Sequence, residues 1–220
     1  MTFAALVLGL LVTTIKTRFD SQADTMQVYA SNLIQFDQRL EEYGPDSAQA
    51  RALLRAYTAA AVFNTWPDEA RPPGNYPVMP THDGDDAVEN RILGSMLQQL
   101  DREIRQWSPS DRYHRDLMET LLTSMSTLMR TRWTLIETAH ATISWPFLIL
   151  LVLWLMIVFA MFGLISPRNR VVYATVLCCS LSVTSAVFLV LDFDTPYDGP
   201  LKLSSQPMRS ALSHMDAASE

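Results

Sequence analysis

The sequence predicts an all-helical membrane protein, and three observations carry that prediction. Residues 141–165 and 171–191 hold no charged side chain, in a 220-residue chain with 17 Lys and Arg and 23 Asp and Glu. Residues 16–140 hold most of the charge and repeat apolar side chains three and four apart, the period of a helix with one buried face. No segment of useful length alternates apolar and polar residues, so strands have no support. The expected architecture is a C-terminal transmembrane hairpin, a helical cytoplasmic bundle and a partial N-terminal membrane helix.

Residues 1–15 form the partial helix. Thr2 to Ile15 is apolar but falls short of the roughly 20 residues a span requires, and Lys16 and Arg18 follow at once. No basic segment precedes it and no small-x-small cleavage site follows, which argues against a signal peptide. It reads as the last part of a membrane helix.

Residues 16–140 are the extramembrane region. Met26, Tyr29, Leu33, Phe36, Leu40 and Tyr43 alternate spacings of three and four, a narrow stripe of the coiled-coil kind. Gly44-Pro45 stops that helix, and Asp46 or Ser47 is placed to cap the next. The second helix carries Leu53, Leu54, Tyr57, Ala60 and Ala61 and ends at Trp66-Pro67. Residues 67–86 contain five prolines and the acidic tip Asp83-Gly84-Asp85-Asp86, the signature of a surface loop. A third helix is expected from near Asp86, with Leu93, Leu97, Leu100, Ile104 and Trp107 in a stripe broken at Ser108-Pro109. From Ser110 a long helix bearing Leu117, Leu121, Leu128 and Leu135 leads towards Trp145. Stripes this narrow must bury against one another or against other subunits, so a homo-oligomer is expected.

Residues 141–191 form the two-helix transmembrane hairpin, with the lipid bilayer as its surroundings. Pro146 falls near the first helix start, where its missing amide proton costs little, and Trp145 suits the headgroup interface. Ser166 to Arg170 allows only a tight connection, so Val171 to Leu191 returns antiparallel. Its small and hydroxylated residues, among them Ala174, Ser180 and Thr184, favour close packing in lipid. Residues 192–220 are read as a turn and tail.

Composition excludes several functions. A net charge of −6 supplies no basic face for nucleic acid. Seven scattered glycines build no phosphate loop. Cys178 and Cys179 lie in an apolar run, where thiols are inert packing residues. His82, His114, His140 and His214 form no ligand or acid-base constellation, and no nucleophile elbow occurs. No catalytic residue and no cofactor are expected, so the chain does not read as an enzyme. Asp192, Asp194 and Asp198 occupy positions 1, 3 and 7 of a calcium loop, without its glycine at position 6 or its terminal glutamate. They are the candidate metal residues; a helix-ending interfacial turn is the alternative. Lys16, Arg18, Arg130, Arg132, Lys202 and Arg209 against Arg168 and Arg170 place the central region in the cytoplasm.

Several fragments occur in order along the chain: Asp37-x-x-Leu40-x-x-Tyr43-Gly44-Pro45, Arg51-x-Leu53-Leu54-Arg55, Trp66-Pro67, Ser144-Trp145-Pro146-Phe147, Pro167-Arg168-Asn169 and Leu191-Asp192-x-Asp194-x-Pro196-Tyr197-x-Gly199. Together they resemble the bacterial bestrophin-like domain family. The resemblance implies a multi-pass protein of the bacterial inner membrane with four membrane helices, this chain beginning inside the second. It also implies similarity to bestrophins, pentameric anion channels gated by calcium at an acidic cluster, and hence anions and calcium as partners. Phe3, Val7 and Leu10, at helical spacing, would then face a pore or lipid. The alternative is a non-catalytic structural or signalling protein that couples a cytoplasmic partner to the membrane.

Overall fold

Seven α-helices account for most of the described residues, and no strand occurs among them. The computed structural model describes residues 2–77, 91–139, 145–165, 169–194, 197 and 202–217. The helices are α1 (Thr2–Tyr43), α2 (Ala48–Thr65), α3 (Arg91–Arg105), α4 (Arg112–Ala139), α5 (Trp145–Ile165), α6 (Arg170–Asp194) and α7 (Gln206–Ala217). The all-helical class expected from periodicity is what the chain adopts.

The apolar segment at the N-terminus and the first polar stripe belong to one helix. Nothing between Thr2 and Tyr43 breaks it, since proline is absent and Gly9 is the sole glycine. At about 1.5 Å per residue its 42 residues measure about 63 Å. It stops at Gly44, whose φ of 95° is open to glycine at little cost, and a short 3-10 turn, Pro45–Ser47, follows. The expected side-chain cap by Ser47 is not made. Its hydroxyl turns back instead, shared between the Leu40 carbonyl that the helix end leaves open and the Gly44 carbonyl, which also accepts the Ser47 N–H.

The chain divides into two compact units. One comprises Met1–Asp20 and Ala141–Lys202, the other Ser21–His140 and Leu203–Glu220.

In the first unit Leu11 and Val12 pack with Ile15 against Phe193 of α6, and Phe19 meets the Phe193 ring edge-on at 5.0 Å. Arg170–Phe193 is the one helix among the described residues long and apolar enough to cross a bilayer, and Val152–Ile165 is a shorter apolar stretch. Large apolar side chains on both helices, including Leu153, Met156, Leu177 and Leu181, are exposed. Helices apolar all round need lipid or protein about them. α5 and α6 flank an apolar cleft of about 490 Å³, lined by Leu155, Phe159, Val183 and Val187. The tight turn expected at 166–168 lies outside the described residues.

In the second unit the predicted stripe is the buried one: Met26, Tyr29, Leu33, Phe36, Leu40 and Tyr43 are all buried. α2 contributes Leu54, Tyr57, Ala60 and Val62; α3 contributes Leu93, Leu97, Leu100 and Ile104; α4 contributes Leu117, Leu121, Leu128 and Leu135. Each fully buried leucine stabilises the bundle by roughly 1.5–3 kcal/mol. Residues 67–77 are irregular, as their prolines require. The rest of the expected loop, the start of the third helix near Asp86, and the continuity of α4 into Trp145 lie outside the described residues.

The C-terminal stretch read as turn and tail holds a helix, α7, with Met208, Ala211, Leu212 and Met215 buried in the second unit. Three polar clasps fasten this segment. Trp66 Nε1 donates to the Leu203 carbonyl at 2.8 Å. Arg209 donates to Glu69 at 3.0 Å and to the Ala70 carbonyl at 2.7 Å, while the Ser205 hydroxyl donates to the same glutamate. Arg55 donates to the Met215 carbonyl at 2.6 Å; its Nε lies 3.0 Å from Asp216 but out of line for a hydrogen bond.

Candidate functional site

Opposite each buried stripe, α1 presents an exposed one. In the first unit Leu6 and Leu10 are exposed at 66% each, followed by Thr13, Thr14 and Thr17. The three hydroxyls fold back on the carbonyls of Gly9, Leu10 and Thr13 at 2.8–2.9 Å, so a cuff of threonines succeeds the leucines. Of the residues expected at a pore or lipid face, Leu10 is exposed and Val7 half-buried; the Phe3 side chain lies outside the described set.

In the second unit Ser21, Asp24, Val28, Ser31, Gln35, Gln38 and Glu42 are exposed at alternating steps of three and four. Hydroxyls and amides dominate, and Asp24 and Glu42 are the two charges. Sequence reasoning followed the apolar stripe and overlooked its polar counterpart, although the heptad spacing was there to be found. Beside it α4 carries Thr120, Thr123, Ser124, Thr127, Thr131, Thr134 and Thr138, each bonded to a carbonyl one turn back. Asn32 reaches Thr131 at 3.4 Å, and Arg39 donates to Ser124.

The candidate metal residues are placed unevenly. Asp192 is buried at 8% exposure in the last turn of α6, has an interaction partner, and neighbours Phe193. Asp194 is the final residue of α6, two positions on, and helix neighbours two apart point to different faces. The Asp194 side chain and all of Asp198 lie outside the described residues. Among the described residues no group of three His, Cys, Asp or Glu is poised to hold a metal ion. His82 and its acidic loop also lie outside them.

The histidine with a distinct setting is His114, at the start of α4. Its Nδ1 sits 2.7 Å from Asp111 and its backbone N–H donates to the same carboxylate at 3.2 Å, an N-terminal cap. That backbone bond holds the Asp111 carboxyl below its usual range. The His114 ring lies edge-on to Tyr43 at 5.1 Å, and Tyr43 stacks on Trp107 at 4.3 Å.

Deeper in the bundle is a buried polar group that sequence reasoning missed. The Tyr29 and Tyr57 hydroxyls are hydrogen-bonded to each other, and the positive charge of Arg132 acts on both phenols. Burial pushes both phenols above their usual range, most strongly Tyr29. Arg132 is 8% exposed, against the expectation of a juxtamembrane surface charge. The correction has a simple cause: α4 turns this position inward, with its guanidinium 3.6 Å from where a side chain on Gly94 would begin. A cavity of about 30 Å³ adjoins the group.

Exposed apolar helices together with a helical bundle that buries its own apolar stripes define an all-helical membrane protein. The chain belongs to the bestrophin-like domain family, whose model matches residues 2–208. Two crystal structures of mutants of a bacterial bestrophin homologue from Klebsiella pneumoniae are similar to it with TM-scores of 0.70 and 0.69 at 12% identity. These alignments cover 99% and 100% of this chain and 84% and 85% of those chains. A mutant crystal structure described only as a membrane protein gives a TM-score of 0.67 at 14% identity, over 100% of this chain and 85% of its own. At such identities the likeness shows the fold, not the activity. A search of curated proteins found no match.

Proposed function

We propose that this protein is a non-catalytic, homo-oligomeric anion channel of the bacterial inner membrane, with the outward stripe of α1 lining the passage. The observation that carries the reading is the stripe itself. Leucines followed by threonines are suited to a dewetting constriction with hydroxyls beyond it, which would rotate off the Gly9, Leu10 and Thr13 carbonyls to donate to a passing anion. The fold shared with bacterial bestrophin homologues supports the same reading. The central region faces the cytoplasm, a placement supported by Lys16, Arg18, Arg130, Lys202 and Arg209; Arg132 is set aside because it is buried.

Asp24 is exposed on the stripe, and a ring of carboxylates repels anions. The test is chloride efflux from liposomes reconstituted with the purified full chain. Wild type is expected to conduct, and Asp24→Asn to conduct several-fold faster. Absence of chloride flux in both proteins, at verified incorporation, rejects the reading. Calcium acting through Asp192, Asp194 and Asp198 is a further part of the proposal. Convergence of the three on one ion would require the last turn of α6 to unwind, and Asp192→Asn should then abolish any calcium response of the flux.

A further inference from the structure

The exposed stripe of α1 acquires its first charge at Asp20. Leu6, Leu10, Thr13, Thr17 and Asp20 succeed one another at steps of four, three, four and three, and all are exposed. They lie away from the face on which Leu11, Val12 and Ile15 pack with Phe193. Asp20 therefore stands one turn beyond the threonine cuff, on the face that the channel reading turns to the passage. A carboxylate there, repeated in every copy, would repel anions and hold cations.

That carboxylate is not bare. Lys16 Nζ donates to both Asp20 carboxylate oxygens, at 2.5 and 2.6 Å. Of the positions three and four residues from Asp20, on either side, only Lys16 is a cation. Arg18, two residues away, belongs to a different face of the helix. The pair makes this level of the stripe neutral, yet it holds loosely. Its side chains are 55% and 54% exposed, and Lys before an acid is the weaker order for a pair four apart on a helix. The ammonium can thus leave the carboxylate at little cost and donate to a passing anion, whereas the Asp20 carboxylate only accepts. We infer that Lys16, paired with Asp20, is the residue that sets the charge selectivity of the passage.

The inference rests on the channel reading, and the experiment separates the two. Reversal potentials of the purified full chain in planar bilayers are measured across a potassium chloride gradient at low ionic strength, where exposed charges are least screened. Lys16→Gln leaves the carboxylate bare and is expected to lower the chloride-to-potassium permeability ratio several-fold. Asp20→Asn leaves the ammonium bare and is expected to raise the ratio several-fold. Lys16→Gln with Asp20→Asn restores neutrality and should bring the ratio back close to wild type. A merely structural pair would shift both single variants the same way, since either substitution breaks it. Equal ratios in wild type and variants, or single variants shifted in the same direction, overturn the inference while leaving conduction established. Opposite shifts support it even where the wild type prefers potassium, a result that would reject the anion reading alone. No current in wild type or variants, at verified incorporation, overturns both.

Discussion

Asp37 lies on the buried stripe of α1, where a carboxylate without a partner would be costly. Arg51, one turn into α2, meets it with two parallel bonds of 3.1 Å, from Nε and from Nη2. The sequence shows both residues, but only the turn at Gly44 brings them face to face. Breaking a buried pair strands the surviving charge, whereas replacing both partners removes the desolvation problem altogether. Arg51→Leu should therefore lower stability by about 3 kcal/mol. Asp37→Leu combined with Arg51→Leu should restore most of that loss, as read from urea unfolding of the two variants. A double variant no better than the single would show that packing, and not the charge, is at stake. Arg132 gives the converse lesson. As a letter in the sequence it counts as one more basic residue near a span; in the fold it is a buried charge beside Tyr29 and Tyr57.

At the scale of elements, α7 was the least legible part. Its twelve residues are short for a helix that must stand alone, and its apolar positions make sense only against α2. The clasps at Leu203, at Glu69 with Arg209, and at Met215 fix its two ends, and Trp66 is the most buried of the contributing side chains. Trp66→Phe keeps an aromatic ring but loses the indole N–H, orphaning the Leu203 carbonyl in a buried site at a cost of about 1–3 kcal/mol, to which the lost ring volume adds. Limited proteolysis is expected to cut the variant within 203–217 well before the wild type. Equal protection would mean that apolar contacts alone hold the segment. By contrast, the buried faces of α1, α3 and α4 were readable because a spacing of three and four admits few other solutions.

For the molecule as a whole, the polar stripe on α1 is the surface that the channel reading turns towards the passage, where copies of the chain face one another. From Ser21 to Glu42 α1 has one face buried and a second face of hydroxyls and amides, the face that copies of the chain would present to one another across that passage. With Cys178 and Cys179 replaced by Ala, Ser31→Cys should form a ladder of cross-linked species with a short bis-maleimide in membranes. Gln98→Cys, on the exposed face of α3, should not. Cross-linking at Gln98 and none at Ser31 would move the passage off α1.

The sequence alone determined the helical class, the apolar segments and the buried faces, because these follow from local spacing and from the absence of charge over a span's length. It also carried the family, through short fragments held in order along the chain. Tertiary structure decided the rest. The union of the apolar N-terminal segment with the first bundle helix depends on an unbroken backbone, and the capture of α7 depends on residues some 140 positions apart. The phenol pair exists only because α1 and α2 meet. Periodicity reports which face of a helix is buried; which polar groups meet inside is set by the packing of one helix on another.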